Sequence, residues 1–191
     1  RVLFRSHAYC AAMASGFDSA TVLSVDNYGD GCAARAFAWR DGRCELLYSS
    51  SALRSPGQFY GEMAQLVGIN PLLAGKLTGL AAHGDPAPGR ELVSELFGLS
   101  ADGADFVYPF RLFASRHSHP YRELAALAPA DLAAAVQQRF EQVLAGYAAA
   151  AVRRTGLTDV ALAGGVFGNV RANQVISELP GVRRVYVFPA M

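Results

Sequence analysis

The sequence carries little charge and almost no imbalance of charge. Charged residues make up 17% of its 191 residues, and the formal net charge is +1. A chain without a basic excess has no electrostatic attraction for nucleic acid or for an anionic membrane surface, so we expect neither as a partner. The alanine-rich segments are interrupted by charges before about 18 apolar residues accumulate, and we therefore expect no membrane-spanning helix.

Cysteine is also scarce. Cys10, Cys32 and Cys44 are odd in number and lack the spacing of a metal site. We interpret them as reduced thiols, which predicts a cytoplasmic protein. What the chain has in quantity is apolar residues, which at 52% indicate a well-buried globular core.

Several catalytic motifs are missing as well. The sequence contains no nucleophile elbow, no Cys–His pairing in a recognisable setting and no Walker-type phosphate loop. An enzyme built from this sequence would therefore use bound phosphates and a metal ion rather than a covalent nucleophile.

One stretch has the pattern of a phosphate-binding turn. A predicted strand at residues 159–162, apolar from Val160 onward, leads into the adjacent Gly164 and Gly165, and a helical pattern follows from Val166 to Leu179. A strand that ends in glycines and feeds a helix exposes backbone N–H groups, which suits a phosphate or a nucleotide. Tight packing in an ordinary α/β unit requires the same glycines, so both readings stay open.

The order of predicted elements narrows the fold class. Residues 20–25, 32–40 and 44–48 predict three antiparallel strands, with a hairpin signal at Asp41 and Gly42. Helices follow, the longest from near Asp131 to Arg154, and then a strand–helix–strand unit that ends with a strand at residues 184–189. We predict an α/β fold that is the second half of an actin-like (ribonuclease-H-like) ATPase fold. Generic α/β folds share this alternation.

Other candidate site residues lie near these turns. Asp26 ends the first predicted strand, and the turn that follows, including Asn27, Tyr28 and Gly29, predicts a phosphate-gripping hairpin. The Asp26 carboxylate would hold a divalent cation or orient water; the alternative is a turn aspartate with no ligand. Lys76, between two glycines, is either the partner of an anion or a solvated lysine.

Three histidines and a pair of arginines are also considered as site residues. His7 is either a core histidine or a metal ligand. His117 and His119 lack a usual zinc spacing, and we interpret them as loop residues. Arg183 and Arg184 are interpreted as solvated residues at the start of the last strand.

Four blocks in order carry a resemblance to a known family. They are His7-Ala8 with the small residues after it, residues 20–30, residues 75–81 (Gly-Lys-Leu-Thr-Gly-Leu-Ala) and residues 162–169 (Leu-Ala-Gly-Gly-Val-Phe-Gly-Asn). In these blocks the chain resembles the O-carbamoyltransferases of the nodulation and antibiotic-tailoring type, which are relatives of the transfer-RNA threonylcarbamoyl transferases. Asn27 stands where the family has the first glycine of the hairpin.

The resemblance implies a reaction and its cofactors. The family transfers the carbamoyl group of carbamoyl phosphate to a hydroxyl acceptor (a sugar, an antibiotic or a polysaccharide unit) through an ATP-derived carbamoyl-adenylate over a bound divalent metal (Fe, Zn or Mg). The alternatives are an actin-like sugar kinase or phosphotransferase, and a non-catalytic nucleotide-binding module. The nucleotide-binding candidates are Asp26, Asn27, Tyr28, Gly29, Lys76, Gly164, Gly165 and Asn169.

The resemblance assigns only some of the family's metal ligands, and none of its catalytic residues, to positions of this sequence. The family's metal ligands are two histidines four residues apart and an aspartate after the last strand. His7 matches the second histidine, and Leu3 stands at the position of the first. The aspartate would follow Met191. The family's catalytic residues are expected upstream. Residues 1–6 match the translation of a common sequencing adapter, so we expect them to be an artefact and residues 7–191 to be a partial catalytic domain, inactive by itself.

Overall fold

The computed structural model of the chain describes residues 3–29, 31–108 and 119–189. Its centre is a five-stranded sheet with the strand order β3-β2-β1-β6-β7. The strands are β1 (Ala20–Gly29), β2 (Cys32–Arg40), β3 (Arg43–Ser51), β6 (Asp159–Ala163) and β7 (Arg184–Val187). A separate small ribbon pairs β4 (Gly98–Leu99) with β5 (Phe106–Val107).

The sheet combines an antiparallel meander with a parallel unit. Strands β1, β2 and β3 are antiparallel neighbours, whereas β6 runs parallel to β1 and β7 runs parallel to β6. Every residue of β6 is buried, which explains its continuous apolar sequence, because a central parallel strand is covered on both faces. The predicted order of three antiparallel strands, helices and a strand–helix–strand unit is confirmed.

Helices cover both faces of the sheet. They are α1 (Leu3–Ser15), α2 (Pro56–Leu66), α3 (Lys76–Ala81), α4 (Arg90–Leu96), α5 (His119–Ala125), α6 (Pro129–Thr155) and α7 (Val170–Ser177). Helix α1 packs on one face with Val22 and Ala161, and α2 and α6 cover the other face with Leu23 and Leu162. The sheet therefore has a hydrophobic core on each face, because successive side chains of a strand point to opposite faces. Within the described part of the chain, no helix has the length and apolar character needed to cross a membrane.

The long helix α6 has recognisable end signals. Pro129 occupies its first turn, Arg153 and Arg154 lie in its last turn, and Gly156 ends it in the left-handed conformation with φ +68°. The Gly156 N–H donates to the carbonyl of Val152, as in an αL cap. The predicted helix from near Asp131 to Arg154 is therefore confirmed to within two residues.

Three local differences from the sequence prediction have physical causes. Strand β1 continues to Gly29 instead of ending before Asp26, because the chain bulges and then pairs again with Cys32. The helix predicted from Val166 begins instead as a 3₁₀ turn at Gly165–Gly168, and α7 starts only after the Asn169 cap. His119 begins α5 rather than lying in a loop, while His117 lies outside the described residues.

Helix α1 includes residues from the segment predicted to be an artefact. The helix begins at Leu3, and the Phe4 side chain is fully buried. No observation tests the origin of residues 1–6, so that expectation stays a prediction.

Arg183 and Arg184 are exposed, as interpreted from the sequence, but both also pair with a buried carboxylate that the sequence did not reveal. Asp159, whose side chain is only 6% exposed, accepts bonds from both guanidinium groups, with Arg183 Nη2 at 2.6 Å and Arg184 Nη2 at 2.5 Å from its Oδ2. These bonds hold the pKa of the Asp159 carboxyl well below its usual range. Because Asp159 opens β6 and Arg184 opens β7, the carboxylate ties two parallel neighbours together.

We expect Asp159→Asn to lower the free energy of unfolding at neutral pH by on the order of 1 kcal/mol, a modest value because both guanidinium groups are exposed. The folded pKa of Asp159 lies below its unfolded value of about 3.9, so its stabilisation is present above that pH and is lost as the pH falls. Urea unfolding at pH 7 and at pH 3 measures both effects. Glu95→Gln, at an exposed position on α4, is the control; equal stability of Asp159→Asn and the parent at pH 7 would contradict the assignment.

Candidate functional site

The predicted phosphate hairpin is a bulge in β1. Val25 lies opposite Ala34 and Gly29 lies opposite Cys32, so three residues of β1 face a single residue of β2. The Asn27 N–H donates to Asp26 Oδ1 at 2.8 Å. A bulge of this kind turns the backbone out of the ladder, which places Asp26 and Asn27 at the edge of the sheet rather than within it.

Helix α2 supports this bulge. The Ser55 hydroxyl donates to the Asp26 carbonyl at 3.3 Å and accepts the N–H of Gln58 at 3.0 Å, so one side chain both caps the helix and holds the bulge. Gly57 allows the close contact, because a Cβ there would lie 2.9 Å from the Cα of Asn27.

The two glycines after β6 have different roles. Gly164 has φ +96°, and a Cβ on it would lie 2.2 Å from the carbonyl oxygen of Val25. Only glycine fits there, so the packing reading holds for this residue. A Cβ on Gly165 would lie 3.3 Å from Asp26 Oδ1, so Gly165 forms the surface that faces the carboxylate. The two turns, which are distant in sequence, are therefore in contact.

A cavity of about 380 Å³ opens beside this contact. Four of the predicted nucleotide-binding residues line it: Asp26, Asn27, Gly165 and Asn169. Its apolar wall includes Phe140 and Val166. A mostly apolar cleft of this size with a few polar groups is typical of a small-molecule site.

The other predicted binding residues lie around the cavity rather than in its lining. Gly164 lies behind Gly165, packed on Val25, and Gly29 ends β1 where the strand pairs again. Lys76 begins α3 as an exposed residue next to Gly75, which does line the cavity. The side chain of Tyr28 lies outside the described part of the chain.

The predicted residue Asn169 forms a polar cluster at the cavity with three side chains that are not among the predicted site residues. We call the side chains of Tyr60, Thr78, Gln137 and Asn169 the amide cluster. The Tyr60 hydroxyl donates to Gln137 Oε1 at 2.6 Å and lies 2.9 Å from Thr78 Oγ1. Gln137 and Asn169 are paired amide to amide, at 3.0 and 3.1 Å. Burial raises the pKa of Tyr60 to about 12, so its hydroxyl is neutral at physiological pH.

One signal in the sequence could have revealed part of this cluster. Gln137 lies in α6 at the end of the buried run of residues 132–136, and it is itself only 6% exposed. A buried glutamine within an apolar helix face needs hydrogen-bond partners, which the sequence does not identify. Thr78 lies in the block at residues 75–81 that carries the family resemblance, whereas nothing in the local sequence distinguishes Tyr60 from an ordinary helix residue.

His7 approaches the site from the other side of Asp26. Its Nδ1 lies 3.8 Å from Asp26 Oδ2, and this buried nitrogen has no hydrogen-bond partner among the described residues. An unpartnered imidazole nitrogen beside a carboxylate fits a contribution to a metal site. The described residues nevertheless hold no group of three or more His, Cys, Asp or Glu side chains that could coordinate an ion.

Comparison with known proteins places these features in a family. The model of the family described as "Carbamoyltransferase N-terminus" matches residues 3–191. Among curated proteins, the chain is 26% identical over 97% of its length to the nodulation protein NolNO of Sinorhizobium fredii, and 27% identical over 87% of its length to the nodulation protein NolO of Bradyrhizobium diazoefficiens. It spans only 28% and 31% of those two proteins.

A solved structure bears out the fold class. Component A of the (R)-2-hydroxyglutaryl-CoA dehydratase of Acidaminococcus fermentans superposes with a TM-score of 0.54 at 18% identity, over 96% of this chain and 61% of that chain. That protein has an actin-like ATPase fold. The predicted actin-like α/β class is confirmed.

We expect Gly164→Ala to destabilise the protein by about 3 kcal/mol, because the new methyl group meets the Val25 carbonyl and the backbone conformation is strained for alanine. Gly168→Ala is the matched control: a Cβ there meets nothing within 4 Å, and we expect a change within about 1 kcal/mol. Urea unfolding of both variants measures the difference. Similar stabilities for the two variants would show that Gly164 has room for a Cβ beside the Val25 carbonyl.

Proposed function

The chain belongs to the carbamoyltransferase N-terminus family, and we propose that the whole protein transfers a carbamoyl group to a hydroxyl group of a small molecule. The observation that carries the proposal is the meeting of Asp26 and Gly165 at one cavity, in a chain whose family match covers nearly all of it. Because the chain spans about three tenths of its curated relatives, the proposal concerns the complete protein.

ATP is the proposed occupant of the cavity. Asp26, Asn27 and Gly165 form its polar side, where the bulge and the glycine turn would approach phosphate groups. The apolar wall with Phe140 and Val166 suits the nucleoside part of the same ligand. The actin-like fold class supports a nucleotide at this place, and Lys76 near the cavity mouth would add a positive charge.

The proposed reaction uses carbamoyl phosphate as the carbamoyl donor. Hydrolysis of carbamoyl phosphate would break its P–O bond and give carbamate and inorganic phosphate. A carbamate oxygen would then attack the α-phosphate of ATP, giving a carbamoyl-adenylate with pyrophosphate as the leaving group. The acceptor hydroxyl would finally attack the carbamoyl carbon, lose its proton to solvent and release AMP. Turns held rigidly against each other supply fixed dipoles for the charge that develops on the phosphates, without reorganisation during the reaction.

A divalent metal is part of the proposal. His7 would supply one imidazole ligand, with the Asp26 carboxylate beside it, and the other ligands would come from outside the described residues. A bound divalent cation would neutralise phosphate charge. Fe, Zn and Mg are the candidates.

We expect the full-length protein to transfer label from carbamoyl phosphate to a sugar or antibiotic hydroxyl only when ATP is present, with formation of AMP. We expect Asp26→Asn to reduce the rate at least about tenfold, since it removes the charged group between the two turns. Asp18→Asn, just before the opposite end of β1, is the control and should keep the parent rate. Formation of ADP with phosphorylated acceptor would indicate a sugar kinase, and nucleotide binding without any turnover would indicate a non-catalytic module; each result would refute carbamoyl transfer.

We also expect His7→Ala to lower the metal content of the purified full-length protein at least about tenfold, because an imidazole ligand contributes directly to affinity. His83→Ala, which alters an exposed histidine, should leave the metal content unchanged. Elemental analysis after dialysis measures both variants. Equal metal content in His7→Ala and the parent would remove His7 from the metal site.

A further inference from the structure

The hydrogen bonds of the amide cluster fix the direction of each of its donors and acceptors. The starting point is Asn169, whose Oδ1 accepts the N–H of Ala172 at 3.1 Å and caps α7. An amide nitrogen in that position would oppose a backbone donor, so the oxygen must face α7. The Asn169 Nδ2 group therefore faces Gln137 and Thr78.

The carboxamide of Gln137 also has one allowed orientation. Its Oε1 accepts from Asn169 Nδ2 and from the Tyr60 hydroxyl, while its Nε2 donates to Asn169 Oδ1 and to Glu141 Oε1 at 2.8 Å. The reverse orientation would oppose donors to donors and place the amide oxygen against a carboxylate. Both lone pairs of Gln137 Oε1 are thus used.

The remaining protons follow from this orientation. Tyr60 has one hydroxyl proton and donates it to Gln137 over the short 2.6 Å contact. The 2.9 Å contact between Tyr60 and Thr78 then needs a proton from Thr78. Thr78 has no second proton, so toward the cavity that it lines its oxygen can only accept.

We propose that Thr78 determines specificity in this cavity by accepting a hydrogen bond from a donor group on the ligand, and that Gln137 is the positioning residue that sets this polarity. The inference rests on the proposed function, in which the ligand is ATP. The donor is a ribose hydroxyl or the exocyclic amino group of adenine; both present an O–H or N–H to an acceptor. A ligand group that can only accept would meet the Thr78 oxygen without a proton between them, which is unfavourable.

The test measures nucleotide affinity by calorimetry on the full-length protein and its Thr78→Val and Thr78→Ser variants. The ligands are ATP, two analogues that each lack one ribose hydroxyl, and one that lacks the amino group of adenine. We expect Thr78→Val to lower the affinity for ATP about fivefold, which corresponds to the loss of one neutral hydrogen bond. We expect Thr78→Ser to bind ATP with the parent's affinity. The analogue that lacks the donor group should bind the parent and Thr78→Val equally, which identifies the group.

The positioning role of Gln137 is tested by the same comparison of affinities for ATP and for the analogue that lacks the donor group. We expect Gln137→Leu to reduce the ratio of affinities between ATP and that analogue toward one, because Tyr60 and Thr78 can then reorient their protons. Gln138→Leu is the matched control on the next residue of α6, whose side chain accepts a hydrogen bond from the exposed Arg90 and does not line this cavity. It should keep the parent's ratio.

The outcomes separate this inference from the proposed function. If Thr78→Val lowers the affinity for every nucleotide by the same factor, or for none of them, the proposal that Thr78 accepts a hydrogen bond from the ligand is refuted, while ATP binding stands. If Gln137→Leu keeps the parent's ratio of affinities, the positioning role of Gln137 is refuted. If the parent protein binds no nucleotide, the proposed function and the inference fall together.

Discussion

The close passage of two backbone segments is the constraint on which the rest of the site depends. Strand β1 and the turn after β6 approach so closely that Gly164 has no room for a Cβ beside the Val25 carbonyl. That contact brings Gly165 to the carboxylate of Asp26, and it places residues from both ends of the sequence around one cavity. Parallel pairing of β1 with β6 makes the passage possible, since it aligns the ends of both strands.

Polar groups at the cavity are held differently from the apolar core around them. In the amide cluster Tyr60, Gln137 and Asn169 are buried and Thr78 is half-buried, and each has a hydrogen-bond partner, so the cluster leaves few polar groups unsatisfied. Asp26 and His7, in contrast, are partly exposed on the other side of the bulge. The family, the fold and this division of polar groups together support a nucleotide cavity with an acidic end and a neutral, hydrogen-bonding end.

Much of the fold could be predicted because its signals are local. The apolar runs of β1 and β6, the hairpin at Asp41 and Gly42, and the caps of α6 depend on neighbouring residues alone. The Asp159 contacts could not be predicted, because the pairing of β6 with β7 decides that Arg183 and Arg184 meet a carboxylate. For the same reason the roles of Tyr60 and Thr78 could not be predicted: they lie on two different helices, and only helix packing brings their hydroxyl groups together.

By itself the sequence determined the order of the elements, the glycine turn and the resemblance to carbamoyltransferases, since each depends on residue types at short spacing. The tertiary structure alone decided which residues meet. It placed Asp26 against Gly165, joined Gln137 to Asn169, and left Lys76 outside the lining of the cavity. The physical reason is that side-chain hydrogen bonds and close backbone contacts depend on distances between elements, which strand pairing and helix packing set.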